Sequence, residues 1–238
     1  MKMPEIKGFI DVSLVDWDGK VSSVIFLPTC NLRCPFCYNT KLVLNPEKMP
    51  TVPFEEIQSY LEKRKGWIDG VVITGGEPTI HSQLSNLCQK VKELGLPIKL
   101  DTNGTNPQVL QRLAEQHLID YVAMDIKAPL TPRKYAKAVG VQAEKLIGKV
   151  KETVNFLLEG KLDYEFRTTV VPKLHEKVDI EQICLAIKDC RKFVIQNFKG
   201  DLETINPEFM HVKPFSQQAL EDMFLTAKKI IPNTLLRE

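Results

Sequence analysis

The sequence predicts an α/β protein built from parallel βαβ units. Two observations carry this. Short runs rich in β-branched residues alternate with helical stretches along the chain, and those stretches are long enough to bridge parallel strands. A third observation fits them: distinctive polar residues fall just after the apolar runs, where ligands collect in such sheets. Six or so repeats point to a partial or full (β/α) barrel, with a doubly wound open sheet as the competing architecture.

The elements follow in order. Residues 8–15 (GFIDVSLV) and 21–27 (VSSVIFL) read as strands of a hairpin, because Asp18-Gly19 stands between them. A helix is predicted from near Pro53, with Phe54, Ile57 and Leu61 spaced i, i+3 and i+7. GVVIT (70–74) reads as a buried strand, and Leu84, Leu87, Val91 and Leu94 form a helical stripe ended by Gly95. Strand 97–102 (PIKLDT), a helix around 107–117 and strand 120–127 (DYVAMDIK) come next. Helices near 131–139 and 143–158 lead to strand 164–171 (YEFRTTVV), which stops at Pro172. A helix near 179–190, a strand at 193–197, a helix over about 215–230 and a closing strand at TLLR complete the pattern. Residues 198–213 carry no periodicity and read as a functional lid or a mobile loop.

The 238 residues are expected to form a single domain, 1–238, with its core at about 20–200 and a loop, helix and strand over 201–238. Hydrophobic residues make up 43% and charged residues 26%, as in an ordinary soluble globular protein. A net charge of only +2 gives no reason to invoke DNA as a partner. No run approaches the roughly 18 apolar residues a membrane span needs. Pro4, Glu5 and Lys7 interrupt the amino-terminal segment, which does not read as a signal peptide. The expected setting is cytoplasmic, where cysteines stay reduced and a tight cysteine cluster reads as metal binding or catalysis.

Such a cluster exists. TCNLRCPFCYN places Cys30, Cys34 and Cys37 as Cys-x3-Cys-x2-Cys on one short segment. Converging thiolates favour zinc or an iron–sulfur cluster. A structural zinc wants four protein ligands, usually as two separated pairs, and no second Cys-x2-Cys or paired-histidine motif is present. Three ligands on a four-iron cluster leave one iron open, and an open coordination position is what metal catalysis requires. Cys88, Cys184 and Cys190 lie among apolar residues on helical stretches, where buried free cysteine is common.

The cysteine motif, with Phe36 before its last cysteine, resembles the signature of the radical S-adenosylmethionine (SAM) superfamily. Gly75-Gly76-Glu77-Pro78 at a strand end resembles that superfamily's second motif. Asp101-Thr102-Asn103-Gly104, Asp125-Ile126-Lys127 and Arg167 before VVP resemble the activating enzymes of glycyl-radical enzymes. The opening segment is most similar to the activating proteins of anaerobic ribonucleotide reductase and their paralogues, and the likeness covers roughly residues 8 to 200.

The resemblance implies a partial (β/α)6 TIM-like barrel with an amino-terminal β-hairpin. It implies a four-iron four-sulfur cluster on Cys30, Cys34 and Cys37, and SAM as co-substrate, cleaved by one electron to a 5′-deoxyadenosyl radical. Phe36, Tyr38, Gly75, Gly76, Glu77, Asp101, Asn103, Lys127 and Arg167 are the implied SAM-binding residues. Asp101, Thr102 and Asp125 are the implied ligands of a monovalent cation; helix capping by Asp101 and an Asp125–Lys127 ion pair are the alternative. The implied partners are a glycyl radical enzyme and a flavodoxin- or ferredoxin-type electron donor. The activase that Arg167 before VVP resembles, pyruvate formate-lyase activating enzyme, carries a histidine on its sixth strand; here FVIQNFKG has none, and either Gln196 or Asn197 substitutes or the substrate end differs. His81, His117, His175 and His211 form no ligand pair by spacing and read as surface or capping residues.

Overall fold

The computed structural model describes residues 2–237. The strands are β1 (Gly8–Ser13), β2 (Ser22–Leu27), β3 (Gly70–Gly75), β4 (Ile98–Thr102), β5 (Tyr121–Asp125), β6 (Asp163–Val170), β7 (Phe193–Asn197) and β8 (Thr234–Arg237). The helices are α1 (Thr40–Leu44), α2 (Phe54–Lys63), α3 (Leu84–Glu93), α4 (Pro107–Glu115), α5 (Pro132–Val139), α6 (Glu144–Leu158), α7 (Lys177–Ala186) and α8 (Gln217–Ile230). Strand and helix alternate as the sequence predicts. None of the helices among the described residues is long and apolar enough to cross a membrane.

The chain packs as two compact groups of segments. The first takes the chain up to Asn31, then Asn39–Thr102 and Gln108–Val122; the second takes Leu32–Tyr38, Asn103–Pro107 and the chain from Ala123 onward. In the first, β1 pairs antiparallel with β2 (Phe9 opposite Ile25), while β2–β3 (Val24 opposite Val72) and β3–β4 (Val72 opposite Lys99) are parallel. Trp17, Val24 and Val72 make a core cluster on which Phe26 and Tyr121 pack. In the second, β6–β7 (Thr168 opposite Ile195) and β7–β8 (Val194 opposite Leu235) are parallel, and the Ile126 N–H donates to the Arg167 carbonyl at 2.8 Å.

The differences from the sequence prediction are local. β1 ends at Ser13, not Val15, because the Ser13 hydroxyl accepts from the Val15 and Asp16 N–H groups and turns the chain, leaving Leu14 and Val15 exposed. Asp18-Gly19 does form the turn: Gly19 has φ 73° and the Lys20 N–H reaches the Trp17 carbonyl. α7 begins at Lys177 rather than 179, because Glu176 and Asp179 cap it reciprocally. It stops at Ala186, so Cys190 sits in the turn beyond the helix, although still buried. α1 was not foreseen: at five residues it is too short to show a period. Residues 198–213 form a strap held to the chain at several points. Their N–H groups at Ile205 and Asn206 donate to the carbonyls of Cys37 and Pro35, and Thr204, Phe209 and Val212 are buried.

Candidate functional site

The segment carrying the cysteines leaves β2 at Leu27, and the backbone beside it explains the glycines of the second motif. The Gly76 N–H donates to the Leu27 carbonyl and the Glu77 N–H to the Thr29 carbonyl, both at 2.9 Å. A Cβ on Gly76 would land on the Thr29 carbonyl, and Gly75 has φ 125°, with Leu27 backbone where a side chain would go. The glycines therefore let the end of β3 close on the strand end that leads to Cys30. His81 secures the same stretch, its Nε2 lying 2.8 Å from the Pro28 carbonyl. The Gly75 carbonyl accepts from the Asn39 side chain at 3.1 Å. Asn39 was missed in the sequence; its signal was its place two residues after the last cysteine.

Glu77 is buried, 1% exposed. Its Oε1 accepts from the Thr79 N–H (3.1 Å), the Thr79 hydroxyl and the Thr102 hydroxyl (2.7 Å). The carboxylate thus caps the 3-10 turn Pro78–Ile80 and ties it to the end of β4. Asp101, also at the end of β4, accepts from the Thr74 hydroxyl at 3.4 Å and has the buried Lys99 ammonium 3.5 Å away.

In the second group, Asn103 is buried and its Oδ1 accepts from the Thr105 N–H (3.0 Å) and hydroxyl (2.7 Å). That is a turn-forming role just before Gly104, whose φ is 73°. The ends of β5 and β6 form a charged triad: Lys127 Nζ and Arg167 Nε each lie 2.9 Å from a different oxygen of Asp125. Burial opposes ionisation of Asp125, but Arg167 and then Lys127 outweigh it and hold the carboxyl at about 2. Burial likewise opposes the Lys127 charge; Asp125 first, then Cys34 and Cys37, raise its pKa and keep it an ammonium. The triad carries an excess positive charge and both Asp125 oxygens are engaged, so the structure lends no support to a monovalent cation held there.

His175 is a correction to the surface reading. It is 3% exposed, its Nδ1 accepts from the Val171 N–H and its Nε2 donates to the Lys127 carbonyl at 2.9 Å. Burial lowers its pKa and keeps the ring neutral, the form this bridge requires. At the end of β7, where a histidine is absent, Asn197 donates to the Phe215 carbonyl at 3.2 Å.

Of the cysteines, Cys34 and Cys37 share one turn, the Cys37 N–H donating to the Cys34 carbonyl at 3.0 Å, whereas Cys30 lies in the other group of segments. Phe36 between them is buried and Tyr38 is exposed. Among the described residues no three histidine, cysteine or acidic groups are gathered as a metal-holding set. The fit of a cluster is therefore judged on donor chemistry, and there the residues suit it. Three thiols occupy one segment, and Lys127, held as an ammonium, lies within electrostatic reach of Cys34 and Cys37. The remaining cysteines are opposite in kind: burial pushes the Cys88, Cys184 and Cys190 thiols up to about 12.

Comparison with known proteins finds similar sequences and similar folds. The sequence pattern of the radical SAM superfamily matches residues 24–187. A protein of Methanocaldococcus jannaschii, provisionally named as a glycyl-radical enzyme activating enzyme, is 35% identical over 98% of this chain and 95% of its own length. The 7-carboxy-7-deazaguanine synthase of Hyperthermus butylicus is 29% identical over 69% of this chain and 74% of its own. Among solved structures, Streptococcus suis SuiB bound to the precursor peptide SuiA superposes with a TM-score of 0.67 at 18% identity over 90% of this chain, which spans about half of SuiB (48%). Archaeal TYW1 superposes at 0.58, with 12% identity over 88% of this chain and 72% of its own. These likenesses show the fold, the α/β partial-barrel core.

Proposed function

This chain belongs to the radical SAM superfamily, and we propose that within it the protein activates a glycyl radical enzyme, generating a radical on a glycine of that partner. The observation that carries this reading is the relative provisionally named for the same task, matched over 98% of this chain and 95% of its own length. The two chains thus share an extent as well as a sequence.

In this proposal Cys30, Cys34 and Cys37 hold a four-iron four-sulfur cluster with one iron left for SAM. When bound, the cluster supplies the electron that cleaves SAM to a 5′-deoxyadenosyl radical, the hydrogen-abstracting species. The chain's own residues supply position and charge. Lys127 and Arg167, made rigid by their shared grip on Asp125, offer a positive field for the SAM carboxylate. Gly75 and Gly76 set the backbone beside Thr29, and the Glu77 carboxylate holds the turn that fixes them. Phe36, Tyr38, Asp101 and Asn103 complete the proposed SAM-binding set. The partners are a glycyl radical enzyme and a low-potential electron donor.

Anaerobic reconstitution with iron and sulfide, followed by chemical reduction, tests the reading. The expected result is visible cluster absorbance, 5′-deoxyadenosine from SAM, and a radical on the partner enzyme seen by electron paramagnetic resonance. A second reading, turnover of a small molecule, draws support from the deazaguanine synthase relative and from the strap docked on Pro35 and Cys37. SAM cleavage that leaves the partner diamagnetic, but becomes coupled to a purine-like substrate, would favour it.

A further inference from the structure

Apart from the proposed SAM-binding residues lies a concavity of about 380 Å³, walled by Arg133, Lys134 and Lys137 of α5 and by Lys173, His175 and Glu176 of the β6–α7 connection. Four of these six are cations. Lys134 is spent on the buried Asp179, 3.0 Å away. The single acid in the wall, Glu176, accepts from the third N–H of α7, a neutral donor that leaves its charge in place, so four cations stand against two carboxylates, Glu176 and the Asp179 behind it. Lys137 donates to the Lys173 carbonyl at 2.9 Å, a neutral acceptor that leaves its charge uncompensated. Arg133, Lys137 and Lys173 are exposed and give the hollow a net positive rim.

What kind of anion suits it follows from what the hollow lacks. Small anions are held by buried donors converging on one point. Here the one buried polar side chain is His175, and both its ring nitrogens are occupied, by the Val171 N–H and the Lys127 carbonyl. No Phe, Tyr or Trp lines the hollow to stack a base, and the His175 ring is buried. The cations stand around an open rim, the arrangement that steers and orients an acidic protein surface.

The location says which acidic protein. α5 is two-faced: Tyr135, Ala138 and Val139 are buried while Arg133 and Lys137 face outward. Its carboxyl end grips the cysteine segment, the Arg33 N–H donating to the Val139 carbonyl at 2.9 Å, with Gly140 packed so closely on the Arg33 carbonyl that no Cβ would fit. Tyr135, on the inner face, lies in the field of Lys127 and Cys34. A protein seated on the outer face is therefore about one helix diameter, roughly 10–12 Å, from the segment that carries Cys34.

We propose that the basic hollow between α5 and the β6–α7 connection is the docking surface for an acidic one-electron donor protein that reduces the cluster. This rests on the radical SAM reading of Cys30, Cys34 and Cys37. In the step itself the donor loses one electron and the cluster gains it, with no bond made or broken.

The test compares wild type with Arg133→Glu/Lys137→Glu and with Lys173→Glu, all exposed positions away from the cysteines. Reduced flavodoxin is the acidic probe. Its affinity is measured by calorimetry and its rate of cluster reduction by bleaching of visible absorbance; dithionite serves as a small reductant that needs no docking surface. The expected result is at least about a tenfold loss of flavodoxin affinity and reduction rate at low salt, shrinking as ionic strength rises. Dithionite-driven reduction and SAM cleavage should stay within twofold of wild type, which also reports intact folding. Variants that bind and accept electrons from flavodoxin as wild type does overturn the docking surface alone, as do variants that lose affinity for RNA but not for flavodoxin. A wild type that takes up no cluster overturns the radical SAM reading and the proposal with it.

Discussion

The six cysteines fall into two sets that differ in surroundings, not in residue type. Cys88, Cys184 and Cys190 are buried, and desolvation pushes each thiol up to about 12. Cys30 and Cys37 are half-buried, and Cys34 and Cys37 lie in the field of a lysine whose own charge is locked by Asp125. A thiolate is the ligand a metal takes, so environment alone separates a packing cysteine from a ligating one. The largest predicted effect breaks the comparison outright. Cys34→Ala should abolish the visible absorbance of reconstituted protein and reduce 5′-deoxyadenosine to background. Cys184→Ala should keep both and lose only stability. Equal losses in the two variants would erase the distinction.

Alkylation of the metal-free protein sharpens the same contrast. At pH 8 a thiol near 12 carries roughly a thousandth of the thiolate of an ordinary thiol near 8.5. Iodoacetamide labelling followed by peptide mass spectrometry should therefore find Cys88, Cys184 and Cys190 slower than an ordinary thiol by about a thousandfold before any steric protection is counted, whereas the half-buried Cys30 and Cys37 are open to the reagent and should be modified first. Comparable rates at Cys88 and Cys37 would sink this account of burial.

A third prediction moves to the charge that sets the cysteines apart. Asp125→Asn keeps the shape of the triad but leaves Lys127 and Arg167 side by side without their counter-ion. Removing one partner of this partly buried group should cost at most about 3 kcal/mol, the low end of the range for a fully buried pair, to be read from urea unfolding followed by circular dichroism. Replacing Asp125 and Arg167 together should cost less than the sum of the single changes, because the two share one interaction.

How much of this was legible in the sequence depends on whether the information was periodic or contextual. The strands and long helices were, because β-branched runs and i, i+3, i+7 stripes encode which face is buried; β3 and α3 fell where GVVIT and the Leu84–Leu94 stripe put them. So was the cysteine motif, since three thiols in eight residues have few other uses. What was illegible needed a partner distant in sequence. Nothing local says that His175 is buried against the Lys127 carbonyl, 48 residues away, or that Asn39 reaches Gly75. The strap at 198–213 has no period because its grip on Pro35 and Cys37 is made by backbone N–H groups, which every residue carries. Asp125 was weighed as a cation ligand or an ion pair, and the short 2.9 Å distances to Lys127 and Arg167 favour the ion pair.

The smallest predicted effect follows from that pairing and has a definite sign. The folded Asp125 carboxyl titrates at about 2, against 3.8 for the unpaired group. Its stabilising contribution is therefore complete above the unfolded value, near pH 4, and is lost as pH falls through the folded value near 2. The shift corresponds to about 2 kcal/mol. Urea midpoints measured between pH 5 and pH 2.5 should drop less steeply in Asp125→Asn than in wild type, because the variant has no carboxylate to protonate at that position. Parallel pH profiles for the two proteins would mean that Lys127 and Arg167 do not hold Asp125 ionised, and the fixed positive charge invoked beside Cys34 and Cys37 would lose its anchor.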